Sequence, residues 1–442
     1  MKCFRINHSN RLFWLVTLTG LLSVMAVSRS LQAETYWIYS EASEKGTGSK
    51  INPFSSFQTA LNEKGGGNTF VFKPGTYTGQ INLYEQHKGT PQKPTVLKSE
   101  QKLKAVLHGS LGHNIYVHRG CEWVIIDGFE SSGAKINGIK SNADYTIIRN
   151  CWIHHNAGQG IGAHSVTGSV FERNLIEYNG SHLQFDHGIY ADGDNLIIRQ
   201  NVVRFSSARG LQLAGKSQLK NSLILNNLIY GNTRQGLLVF CPNNNDEENA
   251  NKIINNTIVY NGYGITVQNF NGGVIANNII LDNTRWRYFD GNPVISTSKR
   301  ISSSEVKFDS LEDLKKIRIT HNLVDENFKK LKLSDDVFEN NIVVEISQVY
   351  RCFVYSRKGI FYLKKSSPAV GKADPSTSAE NDFFGNPRPD KAPDIGCYNY
   401  YESLDDAEKF DENHPDWYYG WPFYFKSSAS SSLDLWKEPT LK

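Results

Sequence analysis

The sequence predicts an all-β chain wound as a parallel β-solenoid, and three observations predict it. From residue 145 onward, a motif of apolar pair, polar residue, Asn and second apolar pair recurs as IIRNCWI, VFERNLI, IIRQNVV, LILNNLI, IINNTIV and VIANNII. The aligning asparagines are Asn150, Asn174, Asn201, Asn227, Asn256 and Asn278, with weaker matches at Asn322 in THNLV and Asn341 in ENNIV. A second column, Gly138-Ile139, Gly160-Ile161, Gly188-Ile189, Gly210-Leu211, Gly236-Leu237 and Gly264-Ile265, runs alongside it. The third observation is length. Segments of four to six β-favouring residues between Asn and Gly turns, repeating at a spacing in the twenties, are too short for helical-pair repeats and lack a leucine-rich signature. Each coil then gives short strands to stacked parallel sheets, with Ile, Leu and Val inside. Identical amides in register can each donate to and accept from the next, so the Asn column is expected to be a structural ladder.

Ahead of the coils, residues 1–33 read as a secretory signal peptide. Lys2, Arg5, Arg11 and Arg29 precede residue 34 with no Asp or Glu among them, an apolar run spans Leu12 to Val27, and Ala33 offers a small residue for cleavage. The run is short for a membrane span, and no later segment has the length and apolarity of one. A secreted or periplasmic protein with no membrane span after signal cleavage is expected. The solenoid domain covers residues 34–400. Its repeat lapses between Thr284 and about Asp309, and SLEDLKK from Ser310 to Lys316 carries a helix N-capping pattern, so an insertion is placed near 284–318. Residues 401–442 turn acidic and then aromatic, with Trp417, Tyr418, Tyr419 and Trp421, and are expected to pack over the open end of the solenoid.

Near the start stand YWIYSEASEKGTGSKINPFSSFQTAL and FVFKPGTYTGQINL, and near the end FYLKKSSPAVGKADP and DFFGNPRPDKAPDIGCYNY. With the repeats between them, these segments resemble right-handed parallel β-helix proteins of the pectate-lyase-like superfamily. The resemblance implies a right-handed coil, a capping strand with a short N-terminal helix, and closing coils at the other end. It leaves the reaction open, because that fold hosts lyases, hydrolases, epimerases and binding proteins.

Charge narrows the partners. The chain has 48 Lys+Arg and 44 Asp+Glu, and without the four basic residues of the leader the two balance. No basic field suggests nucleic acid, and affinity for an acidic substrate must come from a local cluster. The five cysteines beyond the leader, Cys121, Cys151, Cys241, Cys352 and Cys397, are odd in number and irregularly spaced, unlike a disulfide framework or zinc site. The chain is expected to act as a monomer.

The Gly-Ile column supplies a register for the outward face. If Ile189 and Ala191 point inward, Tyr190 and Asp192 point outward, with Gly162 and His164 one coil earlier and Gln212 one coil later. Just before the column stand Asp186 and His187 in QFDHGIYADGD, Arg209 in SSARGL, and Arg234 and Gln235 in TRQGL. His187 and Arg209 are expected to stack one strand spacing apart, about 4.8 Å. His154, His155, His164, His182 and His187 place five of twelve histidines in one short stretch, which favours a site there.

This group suits β-elimination on an acidic polysaccharide, in which a uronic-acid carboxylate is neutralised, a base removes the adjacent proton and an acid protonates the leaving oxygen. Catalysis is assigned to His187 as the base, Tyr190 as the donor or relay of the proton and Arg209 at the carboxylate, and substrate binding to His164, Asp186, Gln212 and Arg234. Asp186, Asp192 and Asp194 offer oxygen ligands for Ca²⁺, although Asp192 and Asp194 in ADGDN also read as turn residues. Lys140 and Lys216 are loose candidates for the Lys-and-Arg arrangement of other β-helix lyases. Phe185-Asp186-His187 resembles the Asp-Pro-His motif of mannuronan C5-epimerases without its proline, and a C5-epimerase shares the proton-abstraction step. A glycoside hydrolase would need paired carboxylates. A non-catalytic glycan-binding or structural solenoid is the reading from a different class.

Overall fold

The computed structural model describes residues 33–42, 46–217, 219–241, 251–268, 270, 272–283, 306–308, 317–331, 340–355 and 360–402. The leader, the helix read at Ser310 to Lys316 and the aromatic extension lie outside them. The chain is a right-handed parallel β-helix. Three parallel sheets run its length: sheet A from Thr35–Ile38 to Arg318–Thr320, sheet B from Gly75–Thr78 to Ile342–Val344, and sheet C from Ile81–Leu83 to Val306–Phe308. The helix α1, Phe57–Lys64, precedes the second sheet A strand, with the Ser56 side chain accepting from the Thr59 N–H as its N-cap. The three strands of a coil alternate with turns, and inward residues such as Ile115, Ile139, Ile161, Ile189, Leu211 and Leu237 stack in one dry core. Burying each such side chain is worth about 1.5–3 kcal/mol.

Both corners of sheet B are built the same way. At the first, a residue with positive φ (Arg173, Gln200, Asn226, Asn255, Asn277) turns the chain, and the residue after it enters the ladder. The Nδ2 of each of Asn174, Asn201, Asn227, Asn256, Asn278 and Asn322 donates to the Oδ1 of the next coil's amide at 2.9–3.0 Å, ending on Asn341. Asn150 is one position out of this column. It holds the positive-φ corner and donates to Asp127, and Cys151 takes the ladder place, its N–H donating to Asn174. A second ladder at the other corner joins Asn156 to Asn179, and Asn232 through Asn261 to Asn283. Ser206 interrupts this column, which the repeat alone did not lead one to expect. None of the five cysteines forms a disulfide, and all are buried.

In the C-terminal half the insertion near 284–318 gains a detail and the reading of the closing segments changes. Val306–Phe308, inside the interval read as an insertion, pairs with sheet C, so that interval still carries a strand of the coil. The segments read as closing coils do not lengthen the solenoid. Residues from Val349 to Tyr398 instead pack Phe353, Phe361, Phe383 and Ile395 against the outer side of sheet B, over Val202, Leu228, Val259 and Ile279. Polar ties hold them to the coils: the Ala379 N–H donates to Asn255, and Arg388 donates to Asn226. Sheet B is thereby covered, whereas on the outer face of sheet C Tyr116, Lys140, Tyr190 and Gln212 stay partly exposed and Leu238 and Thr266 are buried. Among the described residues no helix is long and apolar enough to cross a membrane.

Candidate active site

Register fixes what the open face presents. Along sheet C the outward residues in adjacent strands are Asn82, Tyr116, Lys140, Gly162, Tyr190 and Gln212, followed by Leu238 and Thr266. Polarity therefore runs from the N-terminal coils to Gln212, is broken at Leu238 and resumes at Thr266. Gly162 is a gap in this column, with Lys140 and Tyr190 on either side, about 9.6 Å apart along the backbone. A Cβ on Gly162 would meet the Asn137 amide at 2.5 Å and the Lys140 side chain at 3.3 Å, so the missing side chain makes room for the lysine stem. Burial drives the Lys140 ammonium down to about 8, with Asp192 opposing that shift.

A second column stands at the turn just before each strand: His113, Asn137, Gln159, His187, Arg209 and Gln235. Each of three members accepts the next coil's backbone N–H on its side chain. His113 Nδ1 accepts from Asn137 at 3.2 Å, Asn137 Oδ1 from Gln159 at 3.1 Å, and His187 Nδ1 from Arg209 at 3.2 Å. His187 is 1% exposed, and burial, then Arg209 and Arg234, push it down to about 3. With its Nδ1 lone pair facing a backbone N–H, a neutral ring carries its proton on Nε2. The base role assigned to His187 from sequence does not fit this geometry.

The other assigned residues divide. Tyr190 is half-buried, its ring 4.4 Å from that of His164 and 5.5 Å from that of His187, both edge-on. Arg209 is half-buried and tightly placed: its Nε donates to Gln235 at 2.9 Å, and its Nη1 to Gln212 at 2.6 Å and to the Gln184 carbonyl at 3.3 Å. Burial and then Arg234 lower it to about 10. Among the described residues neither Arg209 nor Arg234 has a carboxylate in reach, whereas Arg149, Arg173, Arg199, Arg204 and Arg318 each do. Gln212 accordingly positions the arginine. Lys216 is exposed and away from this column.

The aspartates are engaged by hydrogen-bond donors of the protein. Asp192 was read as outward and turn-forming, yet it is 1% exposed within a strand, because His164 and Ser165 bulge across it. Its carboxylate accepts from Ser165 N–H at 2.7 Å and Ser217 N–H at 3.1 Å, and lies 3.4 Å from His164 Nδ1. Burial alone would raise it, but His164 and these N–H groups outweigh that and hold it below its ordinary value. Gly215 permits this approach, since a Cβ there would fall 2.0 Å from Asp192 Oδ2. Asp186 accepts from Ser181 and His182 N–H, closing the loop before His187, and Asp194 accepts from Asn221. Among the described residues no three His, Cys, Asp or Glu side chains gather to hold a metal. The calcium reading on Asp186, Asp192 and Asp194 finds no support here. The histidine cluster also splits: His154 meets His155 and Glu130 at sheet B, whereas the His164 ring and the buried His187 ring pack edge-on against Tyr190 of sheet C.

Acid tests the buried histidine. The folded value of His187 lies below its ordinary 6.5, so its contribution to stability is complete above 6.5 and is lost as pH falls from there toward about 3. Denaturation midpoints are expected to drop across that window, and less steeply in His187→Asn, whose amide can take the backbone bond that Asn137 takes. An unchanged slope in the variant contradicts this.

A family described as "Right handed beta helix region" matches residues 104–249. No curated protein sequence matches the chain. Among solved structures, pectate lyase Pel9A aligns at 16% identity over 84% of this chain and 98% of its own, with a TM-score of 0.50. The complex of XylC with xylose aligns at 11% identity over 83% and 98%, also at 0.50. The A-module of Azotobacter vinelandii mannuronan C-5 epimerase AlgE4 aligns at 17% identity over 66% and 90%, at 0.44. These likenesses are likenesses of fold.

Proposed function

We propose that this chain is a secreted or periplasmic polysaccharide lyase that cleaves a uronic-acid polymer by β-elimination at the outer face of sheet C. The observation that carries the reading is a pair of half-buried arginines, Arg209 and Arg234, with no carboxylate partner among the described residues, on the same outer face as a lysine three coils away whose ammonium is lowered to about 8. A substrate carboxylate supplies the missing counter-charge and, once paired, makes the hydrogen on the neighbouring carbon more acidic. Lys140, as the free amine, takes that proton. The electron pair forms a carbon–carbon double bond as the bond to the glycosidic oxygen breaks, and Tyr190 gives its hydroxyl proton to that oxygen. Asp192 sits beneath Lys140 and His164 as a fixed negative charge, and Gln212 and Gln235 keep Arg209 aimed. His187 supports the Arg209 backbone.

The same proton abstraction followed by return of a proton to the opposite face would be C5-epimerisation, and the paired cations and the lysine serve either outcome. Hydrolysis is less well supported, because Asp186 and Asp192 both have their carboxylates engaged by backbone N–H groups.

Polyuronides such as alginate and pectate, incubated with the purified chain, should gain the ultraviolet absorbance of an unsaturated uronate product. Arg209→Gln with Arg234→Gln should raise KM about tenfold or more, since charge-assisted bonds are worth about 1.5–3 kcal/mol. New reducing ends without that absorbance would assign hydrolysis and overturn the lyase reading.

A further inference from the structure

Of the six large apolar side chains that are exposed among the described residues, only Ile51 lies away from sheet C. Leu111, Ile136, Leu183 and Phe185 all occupy the turns that lead from sheet B into sheet C, and Tyr84 directly follows the Ile81–Leu83 strand of sheet C. Single exposed apolar residues are ordinary on a soluble surface, but a shared edge is not. The turns stack on one another through their backbones: the Ile136 N–H donates to Gly112, Gly158 to Ile136, and Ser181 to Ala157. The last turn is fastened to the polar column, with Gln159 Nε2 donating to the Phe185 carbonyl at 2.7 Å and Arg209 to the Gln184 carbonyl. Phe185, 63% exposed, therefore stands on a tied loop beside the cations. Across the face, Tyr84 stacks on His118 at 4.4 Å, and His118 on Tyr116 at 3.7 Å.

Resting on the function proposed above, we infer that this apolar bank is the second half of the substrate site and receives the C–H faces of consecutive pyranose rings on the coils leading up to the cationic floor, which starts at Arg209 one coil past Phe185. A uronic-acid chain is two-sided in this way, with charged edges and apolar ring faces, and the groove matches both. Charge complementarity at Arg209 and Arg234 and continuity with that floor select this occupant over a second copy of the chain. From the Leu111 turn to the Phe185 turn the bank spans three strand spacings, about 14 Å, so it holds several sugars at once. Long substrates should gain more from it than short ones.

The test is calorimetric binding of uronic-acid oligosaccharides of increasing length to the full chain, to Phe185→Ala, to Leu111→Ser with Ile136→Ser, and to Arg209→Gln with Arg234→Gln. The expected result is affinity that climbs with length in the parent chain and falls about three- to tenfold for long oligosaccharides in either bank variant, in line with one aromatic contact. The arginine variant should weaken binding at every length. Bank variants that bind like the parent, while the arginine variant does not, overturn the bank and leave the function reading standing. If the parent binds no oligosaccharide of any length, both fall. Bank variants that keep their affinity but lose self-association in sedimentation would assign the bank to a contact between copies and overturn the inference.

Discussion

Lys140→Gln is expected to lower kcat by about 10²–10⁴-fold, the usual worth of a positioned general base, with little change in KM. The expectation follows from where the sequence puts the residue. Lys140 belongs to the outward column of sheet C, and the coil after it offers only Gly162, so its stem lies across bare backbone. Partial burial there makes the charged form costly, and the ammonium falls to about 8. A lysine on open surface would hold its proton at neutral pH and be useless as a base. Activity should accordingly rise with pH through about 8 as the free amine forms, and that limb should be missing from whatever activity Lys140→Gln retains. Full kcat in the variant, or a pH profile unmoved by it, would show that the proton goes elsewhere.

Asn227→Ala should be the most damaging single change to the fold that leaves the open face untouched. The Asn227 side chain is buried; its Oδ1 accepts from both the N–H and the Nδ2 of Asn201, and its Nδ2 donates to Ile198 and Asn256. Alanine leaves the Asn201 donors and the Ile198 carbonyl without this partner in a dry corner. At about 1–3 kcal/mol for each of these three orphaned groups, the loss is about 3–9 kcal/mol. Because each coil contacts mainly its neighbours, the loss should fall on the middle of the solenoid, where the coils on either side depend on it. The denaturant midpoint reads this directly. A midpoint within experimental error of the parent would mean that the amide column does not carry the corner.

The coil was legible in the sequence because its determinants repeat. A buried amide at each corner and an aliphatic residue at each inward position leave a period that no local propensity imitates. The reading slipped where two adjacent positions both favour Asn: the positive-φ corner accepts Asn nearly as well as the ladder does, and Asn150 therefore passed for a ladder member when Cys151 holds that place. The second ladder was visible too, since Asn179, Asn232, Asn261 and Asn283 each follow a ladder amide by five residues. Ser206 breaks that column and hides it.

The site was legible as a location and less so as a set of roles. Alternation along the strands correctly turned Tyr190, Gly162 and Gln212 outward. It did not foresee the burial of Asp192, over which the bulge at His164 and Ser165 lays a backbone N–H, and nothing in ADGDN signals a bulge in the preceding coil. Residue type favoured His187 as base over Lys140, since an ordinary histidine titrates near neutrality and an ordinary lysine does not. The fold reverses that order. His187 is buried against a backbone N–H and Lys140 is only half-buried, so the lysine lies nearer to working pH. The clue available in the sequence was the glycine at 162, one coil beyond the lysine in the same outward column.

The central claim is that this face removes the proton beside a uronic-acid carboxylate, and hydrogen exchange tests it without prior choice between elimination and epimerisation. The chain would be incubated with a polyuronide it binds in deuterated water, and the hydrogen next to the carboxylate followed by nuclear magnetic resonance. The account predicts that this hydrogen is lost to elimination or replaced by deuterium, and that Lys140→Gln abolishes the change. Retention of the hydrogen in a bound polyuronide, with the parent chain and over a full pH series, would contradict it.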